Sequence, residues 1–215
     1  MKVTLQRVLP AEIEKRSFEM ITEELEQMGI SLNPEYELIV KRAIHTSADF
    51  DYAKNLVFSD GVVEQAKEAL KNGACIVTDT QMAKSGINKK ALAQLGGEVF
   101  CFMSDEDVAK AAKENGTTRA VASMDKAAKL DRPLIFAIGN APTALVRLHE
   151  LMEEGKLSPC LIIGAPVGFV NVVESKELIL EDSAPYIVAR GRKGGSNIAA
   201  AIVNALLYQV ASREL

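Results

Sequence analysis

Five short and continuous apolar runs occupy the last two thirds of this chain of 215 residues. They lie at residues 74–80, 98–103, 134–139, 160–164 and 186–190, and helical patterns lie at about 105–130, 142–154, 171–180 and 196–211. Continuous apolar runs are typical of strands that helices cover on both faces, whereas half-exposed strands alternate apolar and polar residues. The order of strands and helices therefore predicts an α/β fold with a doubly wound, mainly parallel, five-stranded sheet and right-handed crossovers.

The residues before the first run have a helical pattern. Phe18, Ile21, Leu25 and Met28 form an apolar stripe at helical spacing, and the pattern ends at Gly29. Further helices are predicted at about 34–55 and 61–72. No repeat or linker interrupts the chain, so we predict one domain over residues 1–215, with a helical segment at about 1–72 and the doubly wound core at about 73–211.

The composition argues against several classes of protein. The formal net charge of −4 lacks the basic excess of a general nucleic-acid binder. No stretch approaches the ~20 apolar residues of a membrane helix, and residues 1–7 lack an apolar export signal. We therefore expect a cytoplasmic protein that binds neither nucleic acid nor membrane. Cys75, Cys101 and Cys160 lack ligand spacing, so we expect small buried hydrophobes and no metal site.

The last helical pattern differs from the others because residues 198–207 are apolar nearly all round. Such a helix is buried, either in its own core or against a second subunit. The sequence leaves both alternatives open.

Candidate binding residues follow the predicted strands. Ligands of open α/β sheets bind outside the carboxyl ends of the strands, where this chain has Asp79, Asn140, Gly164, Arg190 and Gly194. Glycine lets the backbone approach a ligand, and arginine binds carboxylates or phosphates. The alternative is that these residues only shape turns. The loops lack the phosphate-binding and dinucleotide-binding glycine motifs, and the chain has no nucleophile elbow, so no nucleotide cofactor is indicated.

His45 is one of only two histidines and lies within a helical pattern. Histidine can give or take a proton at neutral pH because its ordinary pKa is about 6.5. The competing interpretation is an ordinary surface or core histidine. Asp49, four residues later, is predicted to share the helical face of His45 and to stabilise its imidazolium, unless it only forms a solvated ion pair.

Several motifs together resemble the precorrin-8 methylmutase family, also called cobalt-precorrin-8 methylmutase. They lie at residues 14–18, 44–49, 139–145, 164–170 and 190–197, and the resemblance covers about residues 10–208. It implies a flavodoxin-like three-layer α/β/α sandwich and a homodimer with a tetrapyrrole substrate near the subunit interface. His45 corresponds to the family's catalytic acid.

The activity implied by this resemblance is an isomerase reaction of corrin biosynthesis. A methyl group would move from C-11 to C-12 of precorrin-8 or cobalt-precorrin-8 by a [1,5]-sigmatropic shift, giving hydrogenobyrinic or cobyrinic acid. No cofactor is needed, and any cobalt would be carried by the substrate.

The substrate is a polyanion with apolar ring faces, so spread donors are expected. The family motifs add Arg16 and Arg119, and we add Ser17 and Thr118 beside them, although isolated arginines are more often solvated. His149 is interpreted as a surface residue. The alternatives are a tetrapyrrole-binding carrier without catalysis and a flavodoxin-like enzyme for a phosphate ligand.

Overall fold

The computed structural model describes residue 9 and residues 12–211. Residues 1–7, where no export signal is predicted, lie outside this part. The helices are α1 Ile13–Gln27, α2 Glu37–Ser47, α3 Tyr52–Asn55, α4 Val62–Lys71, α5 Gln81–Gly86, α6 Lys89–Gln94, α7 Glu106–Glu114, α8 Arg119–Ala127, α9 Pro142–Glu153, α10 Val172–Glu181 and α11 Ser196–Leu207. The strands are β1 Leu56–Phe58, β2 Cys75–Thr78, β3 Val99–Phe100, β4 Leu134–Ile138, β5 Leu161–Gly164 and β6 Tyr186–Ala189.

The strands form one sheet in the order β1-β6-β5-β4-β2-β3. Strands β2 to β6 are parallel to their neighbours, and only β1 runs antiparallel, against β6. Without β1, the order is that of flavodoxin-like doubly wound sheets, in which the chain reverses direction across the sheet beside the first parallel strand. That point lies here between β2 and β4, so the predicted fold class is confirmed.

The N-terminal segment differs from the prediction in two places. Strand β1 lies within the part predicted to be helical, so the sheet has six strands and not five. A three-residue edge strand is too short to show a periodic pattern. The predicted helix at residues 34–55 is also wrong, because α2 ends at Ser47 and Ala48 adopts a left-handed conformation with φ of 54°.

Two further differences concern the core helices. Helices α5 and α6 were not predicted, because each has only six residues. The pattern at 105–130 is two helices, and Gly116, with φ of +63°, lies between them. A positive φ suits glycine and ends the regular helix there.

Two apolar clusters cover the two faces of the sheet. Ile135 and Ile163 contact the layer that contains α1, α2, α4 and α11, whereas Phe136 and Ile162 contact α8, α9 and α10. Alternate residues of each strand point to opposite faces, so a strand between two layers must be apolar throughout. The α/β/α sandwich is thereby confirmed. Helix α11 lies in the core of its own chain, packed mainly on α2 and α5.

Cysteines and apolar helices give no sign of a metal or a membrane in the described residues. Cys75 and Cys101 are buried, and Cys160 is half-buried, so burial raises the pKa of its thiol. The described part contains no group of three or more side chains placed to bind a metal ion. None of its helices is both long and apolar enough to cross a membrane.

His149 is not the surface residue that the sequence predicted. Its Nδ1 lies 2.9 Å from Oδ1 of Asp182, and the side chain is only 20% exposed. The contact joins α9 to the end of α10. Oδ2 of Asp182 is buried without a hydrogen-bond partner, so this carboxylate depends on His149.

We expect His149→Ala to lower the free energy of unfolding by about 1–3 kcal/mol, because a buried carboxylate loses its partner. Urea unfolding would measure the difference. Glu153→Ala is the matched control, since Glu153 is 70% exposed and lies 3.6 Å from the same ring. Equal effects of the two substitutions would contradict the expectation.

Candidate functional site

Asp79, at the carboxyl end of β2, holds the loop that follows β4. Its Oδ1 accepts a hydrogen bond from the N–H of Gly139 at 2.8 Å, and Oδ2 accepts from Asn140 at 2.8 Å and Ala141 at 2.6 Å. Asp79 is only 1% exposed. Burial raises the pKa of this carboxyl, and the N–H donors oppose part of that shift. Asp79 was predicted to bind substrate, but both of its carboxylate oxygens are occupied by backbone N–H groups.

Ser196, at the start of α11, closes the crevice between β2 and β4. Its Oγ lies 2.7 Å from Oγ1 of Thr80, the residue that caps α5. A Cβ on Gly139 would lie 2.6 Å from Cα of Ser196. Because protein atoms fill this point, a ligand of this sheet edge would bind outside these contacts.

Gly164 and Gly194 serve close packing between the loops after β5 and β6. Gly164 is buried, and its Cβ would lie 3.2 Å from a methyl group of Val188. A Cβ on Gly194 would lie 2.2 Å from the carbonyl oxygen of Ala165, which also accepts a hydrogen bond from the N–H of Gly195. These contacts explain both glycines by packing within the protein, whereas the sequence interpretation assigned them to ligand approach.

Residues 190–195, which we call the cationic loop, join β6 to α11. Arg190 makes two hydrogen bonds to Glu177, at 2.8 and 2.6 Å. Lys193 donates to Asp49 and Asp51, both at 2.6 Å, and these bonds raise the pKa of Lys193. Arg192 is exposed and lies over the ring of Phe169, at 5.4 Å from its centroid. In the described residues no carboxylate pairs with Arg192.

Asp49 does not share a helical face with His45, because α2 ends at Ser47. Its carboxylate bonds to Lys193, which lowers the pKa of Asp49. The predicted His45–Asp49 pair is therefore wrong. The ion pair with Lys193 instead ties the end of α2 to the cationic loop.

His45 lies exposed on the last turn of α2. Its ring stacks on Phe18 of α1, with 5.6 Å between centroids and 28° between planes. The guanidinium of Arg42 lies over the same Phe18 ring at 4.9 Å. Within residues 12–211 neither ring nitrogen of His45 has a hydrogen-bond partner. The exposed imidazole is thus oriented by an aromatic contact, and no described group occupies its nitrogens.

Arg16 and Ser17 make contacts along their own helix. Arg16 bonds to Glu19 at 3.3 Å and Glu23 at 3.2 Å, and Ser17 donates to the carbonyl oxygen of Ile13 at 2.9 Å. These bonds of Arg16 and Ser17 stay within α1, and none of them connects either residue to the loops at the strand ends. The same helix does bring Phe18 to His45.

Thr118 and Arg119 lie beside the start of α9. Thr118 caps α8, and its Oγ1 lies 3.2 Å from Oγ1 of Thr143 in the first turn of α9. Asn140, just before that turn, is exposed. Arg119 is exposed and has no carboxylate partner among the described residues. These residues form a second polar area on the side of the sheet where the parallel strands have their carboxyl ends, which we call the carboxyl edge.

Exposed apolar side chains lie in the loop after β5 and at the start of α5, which follows β2. Val167 is 48% exposed, Phe169 79% and Val170 80%, all in the loop after β5, and Met82 after β2 is 69% exposed. Exposed apolar groups beside polar ones mark surfaces that bind a ligand or a partner. The sequence interpretation did not single out these residues.

An open cavity of about 970 Å³ lies elsewhere, between α7, α8 and α9. Most of its charged residues are paired in the described part of the chain: Lys126 with Asp105 and Asp107, Arg147 with Asp125, and Lys156 with Glu154. None of the predicted site residues lines it. The ends of the parallel strands are the better candidate, because open α/β sheets bind ligands there and the predicted site residues of that region include Arg119, which has no carboxylate partner among the described residues.

Lys176 was missed by the sequence interpretation. It is fully buried on α10, and its Nζ donates to the carbonyl oxygens of Gly191 at 2.7 Å and Lys193 at 2.9 Å. Burial lowers its pKa to about 8. The signal was its spacing, since Lys176 lies four residues after Val172 and three before Ile179, on the buried face of the helix.

Comparison with known proteins shows the family of the chain. The family model for precorrin-8X methylmutase matches residues 12–209. The chain belongs to the precorrin-8X methylmutase family. It is therefore an isomerase of the methylmutase type, an intramolecular transferase of cobalamin biosynthesis. The resemblance seen in the sequence motifs is confirmed.

Similar proteins cover nearly the whole chain. The cobalt-precorrin-8 methylmutase of Salmonella typhimurium is 46% identical, over 94% of this chain and 96% of that protein. The precorrin-8X methylmutase of Pseudomonas aeruginosa is 38% identical, over 90% and 93%. The crystal structure of precorrin-8X methylmutase from Thermus thermophilus superposes with a TM-score of 0.83 at 36% identity, covering 93% and 97%.

We expect Asp79→Asn to lower the free energy of unfolding by about 1–3 kcal/mol, because an amide nitrogen would face backbone N–H donors. Thermal and urea unfolding would measure it. Asp107→Asn is the control, because Asp107 is 66% exposed in the first turn of α7 and its ion pair with Lys126 is worth up to about 1 kcal/mol. An unfolding curve for Asp79→Asn that matches the control would contradict the structural role.

Proposed function

We propose that this chain moves the methyl group from C-11 to C-12 of precorrin-8 or cobalt-precorrin-8, giving hydrogenobyrinic or cobyrinic acid, with His45 as the proton donor. One observation carries the assignment of His45. Its imidazole is exposed at the end of α2, and in the described part of the chain neither nitrogen is engaged. The other histidine, His149, is already bonded to Asp182.

The nature of the substrate supports this choice of surface. A corrin precursor has many carboxylates around a large apolar ring, so it needs cationic groups beside apolar side chains. Arg192 and Arg119 carry charges that no described carboxylate neutralises, and Phe169 offers an exposed ring beside Arg192. Charge-assisted hydrogen bonds from arginine to a carboxylate are among the stronger ones.

The proton balance limits what His45 has to do. In the proposed step the imidazolium donates a proton near ring C, and the methyl group migrates with its bonding electron pair. Substrate and product have the same composition, so the macrocycle must lose one proton in each turnover. The rearrangement needs no oxidant or covalent intermediate, and we propose that the enzyme uses no cofactor, with any cobalt carried by the substrate.

We also propose a cytoplasmic homodimer with the tetrapyrrole near the subunit interface. The exposed apolar residues of the carboxyl edge support this assembly, because a second subunit would remove them from water.

We expect His45→Ala to lower the single-turnover rate by about 10²–10⁴, the usual effect of removing a general acid. Affinity for the product should stay within about threefold, because binding depends on the carboxylates and the ring. Absorbance changes would follow the reaction, and mass spectrometry would confirm a product of unchanged mass. His149→Gln is the histidine control and should keep the wild-type rate.

A near-normal rate in His45→Ala would remove His45 from the mechanism. Reversible spectral change without a new compound, in the wild-type protein, would instead indicate a tetrapyrrole carrier. Side-by-side turnover of the metal-free and cobalt-containing compounds would identify the preferred substrate.

A further inference from the structure

We propose that Lys176 is a positioning residue that keeps the cationic loop in the form that binds carboxylates, an inference that rests on the proposed function. Lys176 lies fully buried, and its ammonium donates to the carbonyl oxygens of Gly191 and Lys193. It is not close enough to a described carboxylate to form an ion pair. A buried ammonium without a counter-ion is costly and persists where its hydrogen bonds maintain a particular arrangement.

The loop turns its acceptors inward. Lys176 binds the carbonyl oxygens of residues 191 and 193, and the N–H of Gly168 binds that of Arg192 at 3.2 Å. Three successive carbonyl oxygens are therefore held by donors of the protein itself. None of the three is left to repel an approaching carboxylate.

The donors of the loop remain available. In the described residues, the N–H groups of residues 192–194 have no acceptor in the backbone or in a side chain. The side chain of Arg192 is exposed beside them. A loop whose carbonyl oxygens are held by the protein and whose N–H groups have no described acceptor suits an anionic ligand.

Helix α10 holds the loop through two adjacent residues. Lys176 donates hydrogen bonds to the backbone of the loop, and the next residue, Glu177, accepts hydrogen bonds from the side chain of Arg190. At the other side, Lys193 is bonded to Asp49 and Asp51, next to the end of α2 that carries His45. Lys176 thus holds the cationic loop, and the ion pairs of Lys193 connect this loop to the end of α2, where the proposed proton donor His45 lies.

The first test compares two ligands. Lys176→Met should weaken binding of the carboxylate product by about tenfold or more, because the loop carbonyls lose their donor and relax outward. Binding of an analogue whose side-chain carboxylates are carboxamides should change by less than about twofold. Lys176→Gln keeps one donor and should give an intermediate loss. Fluorescence or absorbance titration would give the dissociation constants.

The second test needs no corrin. Trypsin should cut after Arg192 or Lys193 about tenfold faster in Lys176→Met than in the wild type, with a smaller increase in Lys176→Gln, and mass spectrometry would identify the cleavage sites. Lys67→Met is the matched control, because the Lys67 side chain is 20% exposed and its ion pair in the described residues is with Glu64 on its own helix, α4. In Lys67→Met the cationic loop should remain as resistant to trypsin as in the wild type.

Equal loss of affinity for both ligands, or unchanged cleavage of the loop, would overturn the proposal. A wild-type protein that does not convert the corrin substrate, while Lys176→Met still exposes the loop to trypsin, would refute the proposed function and leave the structural role of Lys176 standing. The two failures are therefore distinguishable.

Discussion

Burial of the sheet on both faces is the constraint on which the rest of the structure depends. Each strand between the helical layers has apolar side chains on both sides, as Ile135 and Phe136 show in β4. Polar chemistry is consequently confined to the strand ends and to the outer helices. This explains why the cationic loop and the unpaired arginines gather at one edge, while the interior holds few charged groups.

Those few interior groups act on the loops. Asp79 accepts three backbone N–H bonds from the loop after β4, and Lys176 donates to two carbonyl oxygens of the loop after β6. Asp79 is a buried carboxylate that accepts hydrogen bonds, and Lys176 is a buried ammonium that donates them. Each of them fixes the backbone of its loop, and exposed side chains such as Arg192 extend from that fixed backbone.

His45 illustrates how function depends on what its neighbours leave free. The sequence suggested that Asp49 would tune it, yet Asp49 pairs with Lys193 beyond the end of the helix. The neighbour that actually orients the ring is Phe18, which comes from another helix. An apolar partner holds the imidazole without occupying its nitrogens, as the proposed role of His45 needs.

The layered fold could be predicted from the sequence because the parallel strands and the longer helices each leave a local pattern. Strand β1 and helices α5 and α6 could not, because three to six residues are too few for periodicity to show. For the site, the strand ends led the sequence interpretation to one edge of the sheet, and substrate binding there stays a prediction. The pattern was less informative about single residues, since Asp79 and Gly194 proved to contact the protein and not open solvent.

The amino-acid sequence by itself determined the order of the parallel strands and longer helices and the family, and it made His45 a candidate for proton transfer. Only the tertiary structure decided which charges are paired and which are free. Arg190 meets Glu177 and Lys193 meets Asp49 across 13 and 144 residues of chain, whereas no described carboxylate approaches Arg192. Local patterns describe burial within one element, but ion pairing depends on which elements the packing brings together.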